Sequence, residues 1–309
     1  MRIRVLGSAA GGGFPQWNCN CHNCESLRAG SFAGKSRTQT QVAISEDDRT
    51  WFLLNASPDL RMQIEATPSL HPREAGRDSP IGGVLLTSCD IDQVAGLLSL
   101  RELQPFRIYC TPSIRRILQQ DNSMFRMLNR VPDQVSWTEI RCDGIFPLLT
   151  VAGNDSGIAC TAFSLGSRYP AYVPPERAAS LTPEEALLGV MVASSSGGSF
   201  AYMPAVPAVD DSLLQRLENA DLLLCDGTFW SDDELIRAQG SGSTAREMGH
   251  IPVSGADGSL QKLAGLRHPR RVFVHVNNTN PMLDESSPEH AEVRAAGWEV
   301  AEDGWSFDL

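Results

Sequence analysis

The chain has 309 residues, 42% hydrophobic and 20% charged, the composition of a folded globular protein rather than a disordered or collagen-like one. Its 26 basic and 37 acidic residues leave a formal charge of −11 with no Lys/Arg-rich run, so nucleic acid and anionic membranes are poor partners. No apolar stretch reaches the roughly 20 residues that cross a bilayer, and the first residues meet glycines too early for a signal-peptide core, so a cytoplasmic protein is expected.

In chain order, β-branched and aromatic runs bounded by Gly, Pro, Asn or Asp predict strands over 3–6, 41–44, 51–55, 83–86, 107–110, 158–163, 190–193, 222–225 and 272–276. Helices are expected over 92–103, 112–118, 211–219, 231–237 and 288–295, the last opened by a serine cap and Pro288. Strands come first, then strands mixed with helices, in two successive halves. This order predicts an α/β (α+β) protein with two sheets and helices outside, as one domain over 1–309.

Cysteine usage separates into two kinds. Cys89, Cys110, Cys142, Cys160 and Cys225 are scattered through mostly apolar or strand-like runs, where a small buried thiol is the usual occupant. Cys19, Cys21 and Cys24 lie within six residues, in an expected loop. They are too close for a disulfide framework, and their C-x-C-x-x-C spacing suits one tetrahedral zinc, with a fourth ligand from His22 or elsewhere.

Three further groups carry chemistry. Ser88, Asp90 and Asp92 alternate after an apolar strand and share one face, and Asp92 and Gln93 open the next helix. Taken alone, the carboxylates there read as helix caps. Asp59, Asp226 and His275 each follow an apolar strand, and their joint placement suggests a metal site at one sheet edge. His250, flanked by Gly249 and Ile251 in a loop, offers an imidazole as acid, base or ligand. The glycine-rich stretch after the first strand lacks the Lys-Ser/Thr of a phosphate loop, and no G-x-S-x-G is present.

The run GSAAGGGFPQWNCNC at 7–21, together with 55–59, 96–102, 226–228, 246–250 and 278–285, resembles the family of coenzyme PQQ synthesis B proteins within the metallo-β-lactamase fold. The resemblance implies a metallo-β-lactamase-like αββα four-layer sandwich with its metals at one edge. Where that fold carries His-x-His-x-Asp-His, this chain reads Ser88-x-Asp90-x-Asp92-Gln93, so only Asp92 is kept. Losing imidazoles weakens a two-zinc hydrolytic centre and favours a single Fe(II) with open positions. The resemblance further implies iron- and O2-dependent hydroxylation of the tyrosine ring in a Glu–Tyr-derived PQQ precursor. Its alternative is a carrier for PQQ or its precursor toward the periplasm.

Carried over residue by residue, Asp92 and His275 match active-site metal positions, with Asp90 next, Ser88 and Gln93 aligned, and Asp226 bridging or supporting. Asp59 matches a buried residue that orients a ligand from behind, and His250 a proton donor. Cys19, Cys21 and Cys24 match a structural Zn(II) site whose fourth position is Asn278, either as an oxygen ligand or with His275 diverted to the zinc. A homodimer is compatible with these features.

Overall fold

The computed structural model describes residues 1–309, and the strands fall into two mixed sheets. In chain order they are β1 (Arg2–Gly7), β2 (Gln41–Ser45), β3 (Trp51–Leu54), β4 (Ile81–Leu85), β5 (Phe106–Cys110), β6 (Val135–Glu139), β7 (Ile145–Leu149), β8 (Asp155–Gly166), β9 (Leu187–Ser194), β10 (Ser199–Met203), β11 (Leu222–Asp226), β12 (Arg270–Val274), β13 (Trp298–Val300) and β14 (Ser306–Asp308). Within the stretch expected as one domain, the chain packs into two compact units, 1–6 with 41–198 and 304–309, and 7–40 with 199–303.

The first unit carries the sheet ordered β14-β1-β2-β3-β4-β5-β6. Its β3, β4, β5 and β6 run parallel, whereas β1 meets β14, and β2 meets β3, antiparallel. Strands β7, β8 and β9 form an antiparallel meander in the same unit. The core gathers Trp51, Leu53, Val84, Leu86, Leu97, Ile108 and Ile114, all fully buried or nearly so. Each such side chain contributes about 1.5–3 kcal/mol on leaving water.

The second unit carries β10, β11, β12 and β13, all parallel. Every residue of β11 is buried, as expected of a parallel strand covered on both faces. Phe273 of β12 stacks on Trp298 of β13 with ring centroids 4.2 Å apart. The register sets Asp226 opposite Val274, so the C-terminal ends of β11 and β12 deliver Asp226 and His275 side by side.

Several elements differ from the sequence reading. The helix expected over 92–103 is split into a short α-helix, Ile91–Val94, and a 3-10 segment, Ala95–Arg101. Gly96 explains the change of pitch: its backbone presses so closely on 56–57 that a Cβ there would sit 2.2 Å from the Ser57 carbonyl oxygen. The loop expected around the cysteines contains the helix His22–Arg28, with Cys21 at its N-cap and Cys24 inside it. Strands β6, β7, β10, β13 and β14 were not expected; β13 and β14 have only three residues each, too short for a periodic signal. No helix is long and apolar enough to cross a membrane.

Candidate functional site

The second unit holds two clusters of metal-type ligands. In the first, ligand atoms of Asp226, His250 and His275 lie within 4.8 Å of one another, and all three residues are buried. Asp226 ends β11 with no exposed surface, His275 follows β12, and His250 closes the loop after Gly249. His275 has φ of 57°, a left-handed backbone uncommon outside glycine. Such strain persists where the surroundings fix it, and it clusters at functional sites.

The hydrogen bonds assign the protons. Asp226 Oδ1 accepts from the Thr228 amide (2.9 Å) and hydroxyl (2.6 Å), and Oδ2 accepts from the Val206 amide (2.8 Å). Oδ2 also lies 2.8 Å from His250 Nδ1. An ionised carboxylate only accepts, so His250 Nδ1 carries a proton toward it. With its own proton on Asp226, the Thr228 oxygen accepts from His275 Nδ1 at 2.8 Å. Both imidazoles therefore keep a lone pair on Nε2. Burial pushes the Asp226 carboxyl up, but the two histidines and Thr228 outweigh it, and the net shift is downward.

These residues fit a divalent ion. Two imidazoles and one carboxylate form the donor set of non-haem Fe(II) oxygenases, which leaves coordination positions open. His250, expected as a proton donor, thus stands inside the ligand cluster. Thr228, which carried no assignment in the sequence reading, is its hub; the polar Asp-Gly-Thr after an apolar strand was the available signal.

The second cluster is Cys19, Cys21 and Cys24, whose sulfurs also lie within 4.8 Å of one another. Asn278 reaches all three, with Nδ2 at 3.1, 3.5 and 3.3 Å from their Sγ atoms. Turning that amide end for end would aim its oxygen at the same point, the geometry of a Cys3Asn zinc site. Burial pushes the Cys21 thiol up, to about 11; for Cys19 the amide of Cys21 and neighbouring hydrogen bonds outweigh burial and the shift is downward. The thiols gathered here would lose their protons to a metal.

Residues 277–280 join the two clusters, each through a short polar side chain of the kind that bonds readily to nearby backbone. Asn280 Nδ2 donates to the Gly227 and Thr228 carbonyls, and the Asn280 carbonyl accepts from Asn23 beside the cysteines. Asn277 donates to the Thr279 hydroxyl, which donates to Glu234 Oε1 at 2.5 Å. Glu234 Oε2 accepts from the Trp230 amide at 2.5 Å. Burial raises the Glu234 carboxyl to about 7.

Ser88, Asp90, Asp92 and Gln93 belong to the first unit, where Ser88 is hydrogen-bonded to Asp90 and Gln93. Gln93 Oε1 accepts from Asn55 Nδ2 (3.0 Å), Thr87 Oγ1 (2.8 Å) and Ser88 Oγ (3.2 Å), so this amide oxygen is already occupied by protein donors. Ser88 Oγ also lies 2.8 Å from Asp90 Oδ2, and Asp92 is half-buried in the first turn of its helix. Asp59 departs from expectation. It is half-buried at the start of the helix Leu60–Glu65, whereas the buried support behind 87–93 is Asn55, at φ of 66°. Asn55 immediately follows β3, so its side chain turns inward where Asp59, four residues later, has already left the strand.

Comparison with known proteins agrees with this fold. A model of the β-lactamase superfamily domain matches residues 50–276. Coenzyme PQQ synthesis protein B from Azotobacter vinelandii is 43% identical over the full length of both chains, and that from Methylorubrum populi is 44% identical over the full length of both. The crystal structure of zinc-bound PqqB from Methylobacterium extorquens superposes with a TM-score of 0.91 at 44% identity, covering both chains completely. A diphosphatase of the PhnP family shares the fold alone, at a TM-score of 0.67 and 18% identity over 100% of this chain and 97% of its own. The fold is the metallo-β-lactamase-like α/β sandwich expected from the sequence.

Proposed function

The chain belongs to the coenzyme PQQ synthesis protein B family of the β-lactamase superfamily, and from that premise we propose that it serves PQQ biosynthesis as an iron- and O2-dependent hydroxylase of the tyrosine ring in the Glu–Tyr-derived precursor. The observation that carries this reading is the buried Asp226–His250–His275 cluster at the C-terminal ends of parallel strands. Ligands of open parallel sheets bind at those ends. Asp226, His250 and His275 would hold the metal, and iron bound there supplies the O2 activation that aromatic hydroxylation needs.

The protein's own part is positioning. The Thr228 hydroxyl donates to Asp226 and accepts from His275, holding one carboxylate and one imidazole at a fixed angle. The Asp226 contact with Nδ1 fixes the tautomer of His250. Replacing the histidines of the zinc motif by Ser88, Asp90 and Gln93 removes the donors of a two-zinc hydrolase, which argues against hydrolysis. Net hydroxylation places one oxygen of O2 on an aromatic carbon, and a two-electron reductant carries the other to water.

Ferrous-loaded protein given a Glu–Tyr dipeptide, ascorbate and O2 is expected to form a product one oxygen atom heavier. His275→Ala and Asp226→Ala are expected to abolish that product and to lose iron while keeping zinc at the cysteines. No product from fully iron-loaded protein, together with tight binding of PQQ, would replace the hydroxylase by a carrier.

A further inference from the structure

A cleft of about 660 Å3 opens in the second unit, between the loop 254–256, the short helix Ser259–Lys262 and the C-terminal end of the helix Pro288–Ala295. Its volume falls within the ~300–1,000 Å3 typical of small-molecule sites. Arg271, near the start of β12, lines it four residues before His275, about 13 Å away along an extended strand. The cleft therefore sits at the end of β12 opposite His275.

Its walls divide by chemistry. Leu260 and the exposed methyl groups of Ala256, Ala264 and Ala296 form an apolar side. The polar side carries Arg267 and Arg271. Their neighbour Arg270 is paired with Glu299 at 2.7 Å, but Arg271 has no carboxylate partner, and burial alone pulls its guanidinium down from the usual arginine range. The Arg271 guanidinium lies over the Trp298 ring, 5.6 Å from the centroid, and Nη2 donates to the Ala296 and Gly297 carbonyls at 3.2 and 3.4 Å. Gly297 makes this seat possible, since a Cβ there would lie 2.8 Å from Nη2. Stacking and these bonds fix the plane and one corner of the group. Nε and Nη1 have no partner in the protein and are open to solvent. Arg267 is exposed and unpaired on the same cleft, and Glu292, the one acid lining it, pairs with neither arginine.

A guanidinium held in one orientation with free donors is prepared for charge-assisted hydrogen bonds to an oxyanion. In a chain of formal charge −11, two unpaired arginines in one cleft concentrate the positive potential that draws an anion. The apolar wall beside them suits a ligand with a hydrocarbon body rather than a bare inorganic ion. We propose that this cleft binds a small organic acid, its carboxylate taken by Arg271 and Arg267 and its apolar body laid against Leu260, Ala264 and Ala296. The site stands independently of the hydroxylase reading, since none of Asp226, His250 and His275 lines the cleft.

Titration calorimetry of the full-length protein with 3-phenylpropionate tests the site, against 3-phenylpropionamide, acetate and phosphate at equal ionic strength. Saturable binding of the phenylpropionate is expected, about tenfold or more tighter than any of the other three, the difference a charged hydrogen bond makes. Arg271→Gln is expected to weaken it about ten- to a hundredfold by removing that charged partner. Ala264→Glu, at an exposed position, is expected to abolish it by placing bulk and negative charge in the cleft. Asp226→Ala is expected to leave it unchanged, whereas binding at a metal in the mixed cluster would be lost in that variant. No saturable binding, equal affinity for the amide or for phosphate, unchanged affinity in either Arg271→Gln or Ala264→Glu, or loss of binding in Asp226→Ala overturns the proposal. Should Arg271→Gln fail to fold, Arg267→Gln replaces it, because that side chain makes no hydrogen bond or ion pair: a severalfold loss supports the site, and parental affinity overturns it.

Discussion

The two ligand clusters of the second unit are built in opposite ways. Cys19, Cys21 and Cys24 come from six consecutive residues, with one distant partner, Asn278, reaching all three sulfurs. Asp226, His250 and His275 come from three separate segments: parallel strands β11 and β12 end side by side to bring Asp226 and His275 together, and a loop supplies His250. The first set is all sulfur and partly exposed; the second mixes nitrogen and oxygen and is buried. Soft, closed sets suit structural zinc, whereas mixed sets with open positions suit chemistry. Residues 275–280 run from one cluster to the other, so the fold can use the first to brace the second.

Removing the brace is the strongest way to break this contrast. Cys24→Ser replaces a fully buried thiol at the centre of the sulfur set. It is expected to lose one zinc per chain by elemental analysis and to cost on the order of 3–5 kcal/mol in denaturant unfolding, since structural metal binding is folding free energy. Zinc content and stability unchanged from the parent would show that the sulfurs hold nothing.

Glu234 sharpens the comparison from between the clusters. Its folded value of about 7 lies above the ordinary 4.5, so between those pH values the native state binds the extra proton. Stability contributed by the protonated acid is therefore full below about 4.5 and is lost as pH rises through about 7, a change of about 3 kcal/mol. In Glu234→Gln that slope is expected to vanish from unfolding curves recorded at pH 5 and 7.5. A slope identical to the parent's would place the titration on another group.

The smallest effect is expected where only orientation is changed. Thr228→Val removes the hydroxyl shared by Asp226 and His275 while keeping its shape. Groups that orient a ligand from behind contribute about 10–100-fold in metal affinity or activity, so a loss of that size is expected at the mixed site. Zinc at the cysteines should stay at its parental level. Equal losses of both metals would mean that Thr228 supports the fold rather than one cluster.

The parallel between legibility and construction is close. Residues 19–24 announced a metal through spacing alone, and 288–295 announced a helix through Ser287 and Pro288, because both signals are local. The helix at 92–103 misled because apolar period and capping carry no information about a neighbouring backbone; the contact of Gly96 with 56–57 broke it. Asp59 is the position the family resemblance implies as the buried support, yet the buried residue there is Asn55, which follows the strand directly.

Asp226 and His275 were visible as polar residues after apolar strands, and His250 as a loop imidazole, but nothing in their order fixes a distance among them. Composition, hydrophobic runs and the clustered cysteines thus determined the class of the protein, most of its strands and one candidate set of metal ligands. The meeting of Asp226, His250 and His275 and the central place of Thr228 were decided only by tertiary structure. Local sequence sets torsions and caps over a few residues, whereas the separation of residues 22 to 49 positions apart is set by strand register and packing.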